Sequence, residues 1–270
     1  MIKVAELTDV RYTVERGLAW IVIDRPERLN SFRARTIDEI IACLKHAWSD
    51  ATVGVVCLTG AGDRAFCAGG DQKQRAETGD YGPSETGVFD IEGVQRAIRQ
   101  IPKPVIAAVN GVAIGGGHVL HILCDLSIAA STARFGQAGP RVGSFDAGFG
   151  TGYLARIVGE KRAREIWFLC RQYDADTAER WGLVNKVVPP ENLRDEVRIW
   201  ADEILALSPT ALRFLKLSFN VDTEQLAGVA SLANAGLHQF VHSNEALEGS
   251  RAFAEKRAPD FAAYRDAVSH

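Results

Sequence analysis

Three consecutive glycines, Gly115, Gly116 and Gly117, constrain the fold of this 270-residue chain more than any other feature. They follow an apolar run at 105–109 and precede another at 118–124, a context that predicts a strand, a tight turn and the start of a buried helix. A glycine turn lets the backbone approach a ligand, and the free N–H groups of the helix start would face negative charge on it. Simple packing of helix against strand explains such a triplet equally well, so a ligand site needs support from elsewhere in the chain.

The apolar segments alternate between strand and helix along the first half of the chain. A hairpin is predicted at 12–14 and 18–23, and its second strand is almost entirely apolar and therefore central. This order of elements predicts an α/β fold with parallel β-α-β units. Further strands are predicted at 53–59, 105–109 and 126–129, and helices at 36–48, 161–170, 175–181, 193–207, 209–220 and over much of 221–256.

Composition and charge exclude several classes of protein. The hydrophobic fraction of 47% and the charged fraction of 24% are typical of a globular chain with a large core. A net charge of −3 gives no reason to expect nucleic acid or an anionic membrane as a partner. The five cysteines form no C-x-x-C pair, which predicts reduced thiols rather than a disulfide framework or a zinc site. With no secretion signal and no apolar run near the ~18 residues that span a bilayer, a cytoplasmic protein is expected.

Two polar, glycine-rich regions interrupt the predicted elements. The segment 71–87 is long and charged, and it is either a disordered excursion or a substrate-binding loop. The segment 136–150 contains two glycine-dense loops. Both regions are therefore candidates for contacts with a ligand.

A second glycine turn, Gly69 and Gly70, precedes the triplet in the chain and follows the predicted strand that ends near 59, so two predicted strands end in glycine turns. In an open α/β sheet, ligands bind beyond the carboxyl ends of the strands, so N–H groups from the two turns can converge on one atom. Two converging amides suit an oxygen that becomes negative during a reaction, and losing one such donor costs roughly 3–4 kcal/mol of transition-state stabilisation. The glycine patterns of phosphate-binding loops and of dinucleotide-binding turns are absent.

Three motifs at matching spacing resemble the crotonase (enoyl-CoA hydratase/isomerase) superfamily: FCAGGD at 66–71, KPVIAAVNG at 103–111 and IGGG at 114–117. The resemblance implies a spiral of β-β-α turns at 1–205, carrying a CoA site, and a helical trimerisation region at 206–270. It implies that the amides of Gly70 and Gly116 hold the thioester oxygen of an acyl-CoA and stabilise its enolate. It also implies trimers or hexamers, in which the C-terminal helices lend residues to a neighbouring subunit, and no tightly bound cofactor.

The residues around this oxyanion hole differ from those of hydratases that resemble crotonase. Those enzymes carry a glutamate just beyond the triplet and another in the later glycine loop, where this chain has Val119 and Gly139. Neither side chain can transfer a proton to or from water. Simple hydration of an enoyl-CoA is therefore disfavoured.

The segments QAGP at 137–140, VGSFD at 142–146 and REIWFLC at 164–170 resemble a different branch, which contains 1,4-dihydroxy-2-naphthoyl-CoA synthases of menaquinone synthesis and 2-ketocyclohexanecarboxyl-CoA hydrolases. This resemblance implies that Ser144 and Asp146 are a catalytic pair near a second carbonyl and that Tyr81 touches the substrate or acts as acid or base. In the synthases, the space at a glycine matching Gly139 admits bicarbonate as the base, held by residues matching Gln137 and Trp167. The chain departs from the branch at Ala138, where the synthases carry threonine, and at Val241, where both relatives carry tyrosine.

Five further residues are expected near the CoA ester: Arg28, Ala68, Lys73, Arg75 and Lys256. Ordinary surface charge explains any one of the basic residues equally well. The spacing of His118, His121 and Cys124 suits one face of a helix, but the segment is apolar and no carboxylate completes a ligand set, so core packing is expected there and no metal.

Three functions remain open from the sequence. The first is an acyl-CoA enzyme that forms or breaks a ring carbon–carbon bond through a thioester enolate. The second is an enoyl-CoA hydratase or isomerase with different catalytic bases. The third, of another class, is a non-catalytic acyl-CoA-binding homologue.

Overall fold

Residues 2–265 are described by the computed structural model, in which two β-sheets are surrounded by helices. The larger sheet has six strands in the order β1-β2-β3-β5-β7-β10. Its strands are β1 (Val10–Glu15), β2 (Leu18–Ile23), β3 (Val55–Gly60), β5 (Val105–Val109), β7 (Leu126–Ala130) and β10 (Lys186–Val188).

The larger sheet agrees with the predicted hairpin and parallel strands. β1 pairs antiparallel with β2, and the pairs β2–β3, β3–β5, β5–β7 and β7–β10 are parallel. Five of the six side chains of β2 are buried, because this apolar strand lies between two neighbours and under helices on both faces. Only β10, three residues long, was not predicted in this sheet.

The smaller sheet has four strands in the order β4-β6-β8-β9: β4 (Ala65–Cys67), β6 (Val112–Ile114), β8 (Arg134–Gly136) and β9 (Gln172–Asp174). The two glycine turns follow β4 and β6, which pair parallel to each other. The sequence prediction attached these turns to the longer strands near 59 and 109, and that assignment was wrong. Three-residue strands are too short for alternation to reveal them, and they are held by pairing between distant segments.

Helices cover both sides of the sheets. The longest helix of the first half, α1 (Ala34–Ser49), places Ile37, Ile40 and Leu44 in the core at helical spacing. The helices after it are α2 (Gln72–Thr78), α3 (Ile91–Gln100), α4 (Gly116–Leu123), α5 (Leu154–Val158), α6 (Glu160–Leu169), α7 (Ala175–Arg180), α8 (Leu193–Leu205), α9 (Pro209–Val221), α10 (Gln225–Phe240) and α11 (Asn244–Ala254).

The region 71–87 is neither disordered nor wholly a loop. Its first part forms α2, which begins where the side chain of Asp71 accepts a hydrogen bond from the Gln74 N–H at 3.1 Å. The helix ends at Gly79, which has the left-handed conformation common after a helix. The polar composition of this segment is thus that of a short, capped helix followed by a connecting loop.

The C-terminal helices α9, α10 and α11 are joined closely to the body of the chain. The buried amine of Lys216, on α9, donates to the carbonyl oxygens of Ile98 and Lys103 at 3.0 Å and to Asp125 Oδ2 at 2.6 Å. A break at 241–243, where Ser243 caps α11, divides the predicted helical region 221–256 into two helices. The predicted boundary between 205 and 206 coincides with the end of α8, and the ends of the two predicted domains, residue 1 and residues 266–270, lie outside the described residues.

No helix within residues 2–265 has the length and apolar character needed to cross a bilayer.

Candidate active site

A cavity of about 690 Å³ lies where the smaller sheet meets the C-terminal helices. Its walls come from the two glycine turns, the loop 137–146, α3, α10 and the end of α11. Most of the residues expected in a site line it, namely Gly70, Gly116, Tyr81, Ser144, Asp146, Gln137, Gly139, Trp167, Arg28, Ala68 and Lys73. The chain therefore brings segments that are far apart in sequence to one enclosed space.

Gly70 presents its N–H group to this cavity because its neighbours are held by the strand-like segment at Phe32. The Phe32 N–H donates to the Gly69 oxygen at 2.8 Å, and the Asp71 N–H donates to the Phe32 oxygen at 2.9 Å. In such a parallel bridge the N–H between the two bonds points to the other side. Within residues 2–265, the Gly70 N–H has no hydrogen-bond partner.

Gly116 supplies a second free N–H because it is the first residue of α4. The turn before it requires a positive φ of 57° at Gly115, whose own N–H donates to the Gly136 oxygen at 3.0 Å. The two glycine turns touch: a Cβ atom added to Gly69 would lie 3.2 Å from the Gly116 nitrogen. The result is a pair of neighbouring backbone donors at a helix start, an arrangement that stabilises an oxyanion.

A buried ion pair supports the first turn from below. Arg25 Nη2 donates to Asp71 Oδ2 at 2.9 Å, and both side chains are buried. Burial by itself would raise the pKa of Asp71, but its bonds to the Gln74 N–H and to Arg25 hold the pKa below its ordinary value. The carboxylate is therefore charged at neutral pH and fixes both the turn and the start of α2.

Tyr81 closes the cavity over Gly70. A Cβ atom added to Gly70 would lie 2.6 Å from Tyr81 Cε1 and 2.7 Å from its hydroxyl oxygen, so the close approach requires glycine. The ring packs against Phe89 at a centroid distance of 4.7 Å, and the hydroxyl oxygen accepts a hydrogen bond from Gln72 Nε2 at 3.4 Å. Its hydroxyl hydrogen is thus available to a ligand.

Asp146 lies in the loop that faces the two glycine turns. The Gly150 N–H donates to its Oδ1 at 3.3 Å. Burial raises the pKa of Asp146 to about 7, although the Gly150 amide and a hydrogen bond from Gln95 oppose that rise. A carboxyl group with this pKa exchanges protons readily near neutral pH, which suits a general acid or base. Ser144, two residues earlier, also lines the cavity.

Gly139 and Trp167 shape the wall beside Asp146. A Cβ atom at Gly139 would lie 2.7 Å from the Ser144 oxygen and 3.2 Å from Trp167 Cζ3, so a larger side chain does not fit there without movement. The Trp167 indole N–H donates to the Gly150 oxygen at 2.7 Å. Trp167 therefore offers the cavity its ring, while its N–H holds the loop, and its contact with bicarbonate stays a prediction.

Gln137 lines the cavity, and the two histidines of α4 lie behind it in the core. Gln137 Nε2 lies 3.2 Å from His118 Nδ1, and no group within residues 2–265 bonds to the Gln137 carbonyl oxygen. His118 and His121 are fully buried against Phe135, and burial lowers the pKa of His118 to about 4. They pack as neutral core residues, and no group of three potential metal ligands occurs in the described part of the chain.

The residues expected near CoA divide into two sets. Arg28, Ala68 and Lys73 line the cavity, whereas Arg75 and Lys256 do not. Arg75 lies on the inner face of α2 and is only 8% exposed, because α11 packs there. Lys256 is exposed beyond the end of α11. Neither side chain lines the cavity of this chain, and their contact with CoA stays a prediction.

Several cavity residues were not predicted from the sequence, among them Arg64, Gln95, Arg141 and Asn234. Arg64 and Arg141 carried a signal that was overlooked, since both stand beside the quoted glycine motifs. Gln95 and Asn234 carried none, because each is one polar residue on an amphipathic helix.

The C-terminal helices cover the cavity of their own chain. Asn234 and Leu237 on α10 and Phe253 on α11 line it, while Val241, at the end of α10, does not. The region thus contributes to the cavity of its own chain, and its contribution to a neighbouring subunit stays a prediction. Gly143 and Gly249 allow α11 to lie directly on the active-site loop, since a Cβ atom at Gly143 would lie 2.3 Å from the Ala246 oxygen.

Comparison with known proteins gives a consistent result. A family model described as enoyl-CoA hydratase/isomerase matches residues 13–264. An enoyl-CoA hydratase from Mycobacterium avium subsp. paratuberculosis is 29% identical, with a TM-score of 0.84 over 95% of this chain and 99% of the other. A carnitinyl-CoA hydratase from Mycobacterium avium is 30% identical, with a TM-score of 0.81 over 94% and 98%. A monofunctional enoyl-CoA isomerase from M. smegmatis is 33% identical, with a TM-score of 0.69 over 80% and 94%. The shared architecture confirms the predicted fold.

Proposed function

Because the chain belongs to the enoyl-CoA hydratase/isomerase family, the crotonase superfamily, and acts on CoA thioesters as an enzyme of that family, we propose that it works through a thioester enolate held by Gly70 and Gly116. The observation that carries this proposal is the pair of free backbone N–H groups at the two touching glycine turns. Fixed donors of this kind stabilise an enolate oxygen more than the neutral thioester oxygen, which lowers the barrier to forming the enolate.

We propose further that the enolate belongs to a ring-forming or ring-opening reaction. In ring opening, water adds to a ring ketone, the bond between that carbon and the α-carbon breaks, and its electron pair becomes the enolate held by the glycines. A proton then returns to the α-carbon and leaves an open-chain acid. Asp146, with a pKa of about 7, takes the proton from water, and Ser144 lies beside the attacked carbonyl.

In the synthetic direction, a base removes the α-proton and the enolate attacks a second carbonyl, which loses water after a further proton transfer. We propose bicarbonate as that base, bound in the cavity beside Gly139. The Gln137 carbonyl oxygen, unpartnered within residues 2–265, supports it, since that oxygen can accept from the bicarbonate hydroxyl. Against it, the position of a Cβ at Gly139 is closed by the Ser144 oxygen at 2.7 Å, and the Trp167 N–H is bonded to Gly150.

A second candidate is a hydratase or isomerase in which Asp146 is the base. The names of the similar structures favour it, since they include two hydratases and an isomerase. Val119 and Gly139 count against hydration, because they provide no carboxylate where those of crotonase-like hydratases are expected. An isomerase needs a single base that moves one proton, and Asp146 is suited to that task.

The enolate proposal is tested by exchange of the α-proton of acyl-CoA esters in deuterated water, followed by mass spectrometry. We expect exchange with wild-type protein and its loss in Gly116→Ala. Tight binding of the esters with no exchange by any of several acyl groups would instead identify a non-catalytic acyl-CoA-binding protein.

The reaction class is tested by product analysis with three substrates. These are 2-ketocyclohexanecarboxyl-CoA, o-succinylbenzoyl-CoA with and without bicarbonate, and 3-enoyl-CoA esters of several lengths. Ring opening or closure supports the first candidate, whereas double-bond migration or hydration without ring chemistry supports the second.

We also propose a cytoplasmic homotrimer or homohexamer. Large apolar side chains are exposed on the C-terminal helices α9 and α10, including Phe214 at 65%, Phe219 at 80% and Leu232 at 76%. Burying such a surface between subunits is favourable. The cysteines of the described chain are buried free thiols, as a reducing compartment allows. Sedimentation analysis checks the subunit number.

A further inference from the structure

The side-chain amide of Gln95, on α3, is buried in a way that destabilises the fold. The residue is 3% exposed and lines the cavity, and its carbonyl oxygen is buried without a hydrogen-bond partner in residues 2–265. A buried acceptor without a partner destabilises a fold by about 1–3 kcal/mol. The N–H side of the Gln95 amide faces Asp146, but an apolar side chain of similar size would avoid the cost of the carbonyl oxygen, so the packing of α3 does not explain that oxygen.

A second amide faces the same cavity from α10. The hydroxyl of Ser231, on α10, donates to Glu92 Oε2, on α3, at 2.5 Å, and this bond holds the two helices side by side. Three residues beyond each partner, about one helical turn, lie Asn234 and Gln95. Both of these amides line the cavity. The two helices are thus joined at one point and each presents a neutral hydrogen-bonding group one turn further on.

The surroundings of Asp146 contain neutral donors and no cation directed at it. The basic side chains among the described lining residues are Arg28, Arg64, Lys73 and Arg141, and Arg141 donates to the Cys170 oxygen at 3.2 Å. On α3, Arg99 is directed at the rings of Phe149 and Tyr153 and donates to Thr223 Oγ1 at 2.7 Å. The first three basic residues belong to the segments around the glycine turns.

We propose that Gln95 and Asn234 form a specificity subsite that receives a neutral oxygen of the acyl group, so that the substrates are CoA thioesters with a keto or hydroxyl oxygen close to the α-carbon. This inference rests on the proposed acyl-CoA function. The Gln95 carbonyl oxygen, unpartnered in the described chain, accepts from a hydroxyl group, either one that the acyl group carries or the one that water adds to a keto carbon, beside Ser144 and Asp146. The Asn234 N–H groups donate to the same oxygen. An acyl carboxylate is disfavoured at this place, because it would approach Asp146 without a cation to neutralise it. The subsite thus favours the ring-ketone reaction over ring closure onto a carboxylate.

Binding of three CoA thioesters tests the subsite without requiring turnover. They carry cyclohexanecarboxyl, 2-hydroxycyclohexanecarboxyl and 2-carboxycyclohexanecarboxyl groups, and their dissociation constants are measured by calorimetry. We expect the hydroxy ester to bind about tenfold more tightly than the unsubstituted ester, as one or two net hydrogen bonds provide, and the carboxylate ester to bind no more tightly than the unsubstituted one.

Gln95→Leu and Asn234→Leu should each reduce the preference for the hydroxy ester to about threefold or less. Ile91→Leu, one turn earlier on α3 and also at the cavity, is the matched control and should leave the preference as in wild type. At about pH 5, where Asp146 is protonated, Gln95→Leu should keep or raise the melting temperature, because it removes the unpaired carbonyl and leaves no charged carboxylate without its N–H donor. For the keto ester, kcat/KM should fall about tenfold in Gln95→Leu.

The outcomes separate this inference from the proposed function. Equal binding of all three esters, an unchanged preference in both amide variants, or tightest binding of the carboxylate ester would overturn the subsite. If α-proton exchange is absent while the preference for the hydroxy ester is lost in the variants, the subsite stands and the enolate proposal fails. Loss confined to the hydroxy or to the keto ester identifies which oxygen the subsite receives.

Discussion

The two ends of the cavity offer different kinds of chemical group, backbone amides at one end and side chains at the other. At one end, Gly70 and Gly116 offer backbone N–H groups whose positions are fixed by strand pairing and by a helix start. At the other end, Asp146, Gln95 and Asn234 offer side chains from a loop and two helices that meet only in the folded chain. The first end offers backbone N–H groups, which are the same for every residue type except proline. The second end offers side-chain groups, so a substitution there changes the chemistry of the site.

This difference explains how proteins of one family carry different names. Backbone donors can hold a thioester oxygen whatever side chains surround them, so the proposed enolate site is compatible with different residues opposite it. Among the described lining residues, the opposite end has no glutamate and instead combines one carboxyl group of raised pKa with neutral amides. The identity of the reaction is therefore decided at the side-chain end.

Breaking the side-chain end should have the largest effect. Asp146→Asn removes the carboxyl that transfers protons, and we expect kcat to fall by about 10³-fold, within the range of a lost general acid or base. The rate of α-proton exchange with a simple acyl-CoA is measured in the same variant and compared with its kcat for the ring substrate. If kcat for the ring substrate falls less than about threefold, another group moves the proton.

The same substitution should stabilise the fold at high pH. The pKa of Asp146 is about 7 in the folded chain against 3.8 ordinarily, so ionisation costs stability that is lost as pH rises from about 4 through 7. Asp146→Asn should therefore unfold at higher urea concentration than wild type at pH 8, by a few kcal/mol, and equally at pH 3.5. Equal stability of the two proteins at pH 8 would contradict the raised pKa.

Displacing one of the two backbone N–H donors should lower kcat almost as much. A methyl group in Gly116→Ala would lie 2.6 Å from Phe32 Cζ, so the turn must shift and the N–H leaves its position. We expect kcat to fall by about 10²-fold, as for the loss of one oxyanion donor. Gly182→Ala is the matched control: its φ of 72° strains the new residue, but nothing lies within 4 Å, so it should cost about 1 kcal/mol of stability and leave kcat unchanged.

Loosening the loop between the two ends should have an intermediate effect. Trp167→Phe keeps an aromatic ring in the cavity wall but removes the hydrogen bond from the indole N–H to the Gly150 oxygen. Gly150 in turn holds Asp146 through its own N–H, so its loss of support should disturb the carboxyl group. We expect kcat to fall by about tenfold and any stimulation by bicarbonate to persist, since the N–H is already bonded. If stimulation disappears in this variant while the fold is intact, the indole N–H binds the anion instead.

The smallest effect should come from the charged residues at the glycine end. Lys73→Gln removes a positive charge from the cavity lining, and KM for acyl-CoA should rise about twofold to threefold at low salt with kcat unchanged. Lys256→Gln is the control, because Lys256 lies away from the cavity of its own chain. A larger rise of KM in Lys256→Gln would show that this lysine reaches the CoA of another subunit.

Sequence reasoning recovered the features that depend on short segments. The apolar strand Leu18–Ile23 and helix α1 were predictable because their burial follows directly from local periodicity. Gly70 and Gly116 were found because a glycine motif is contiguous in sequence. The role of Asp146 came from resemblance alone, as an aspartate in a glycine loop more often caps a turn.

The features that were missed depend on packing between distant segments. β4 and β6 exist because they pair with each other, and no pattern marks three residues as a strand. Arg75 was expected near CoA, but α11 covers that face of α2, which the sequence of α2 does not reveal. Gln95 is recognised as a cavity residue only from the structure, in which α10 lies beside α3.

Lys216 makes the last three helices inseparable from the body of the chain. A protein cut after Leu205 would leave the carbonyl groups of Ile98 and Lys103 without their donor and Asp125 without its cation, in addition to uncovering the active-site loop under α11. We therefore expect one cooperative unfolding transition for the whole chain and no independently folding fragment at 2–205. Transplanting the tail of a relative that lacks this lysine would weaken the joint as well as reshape the wall above Asp146.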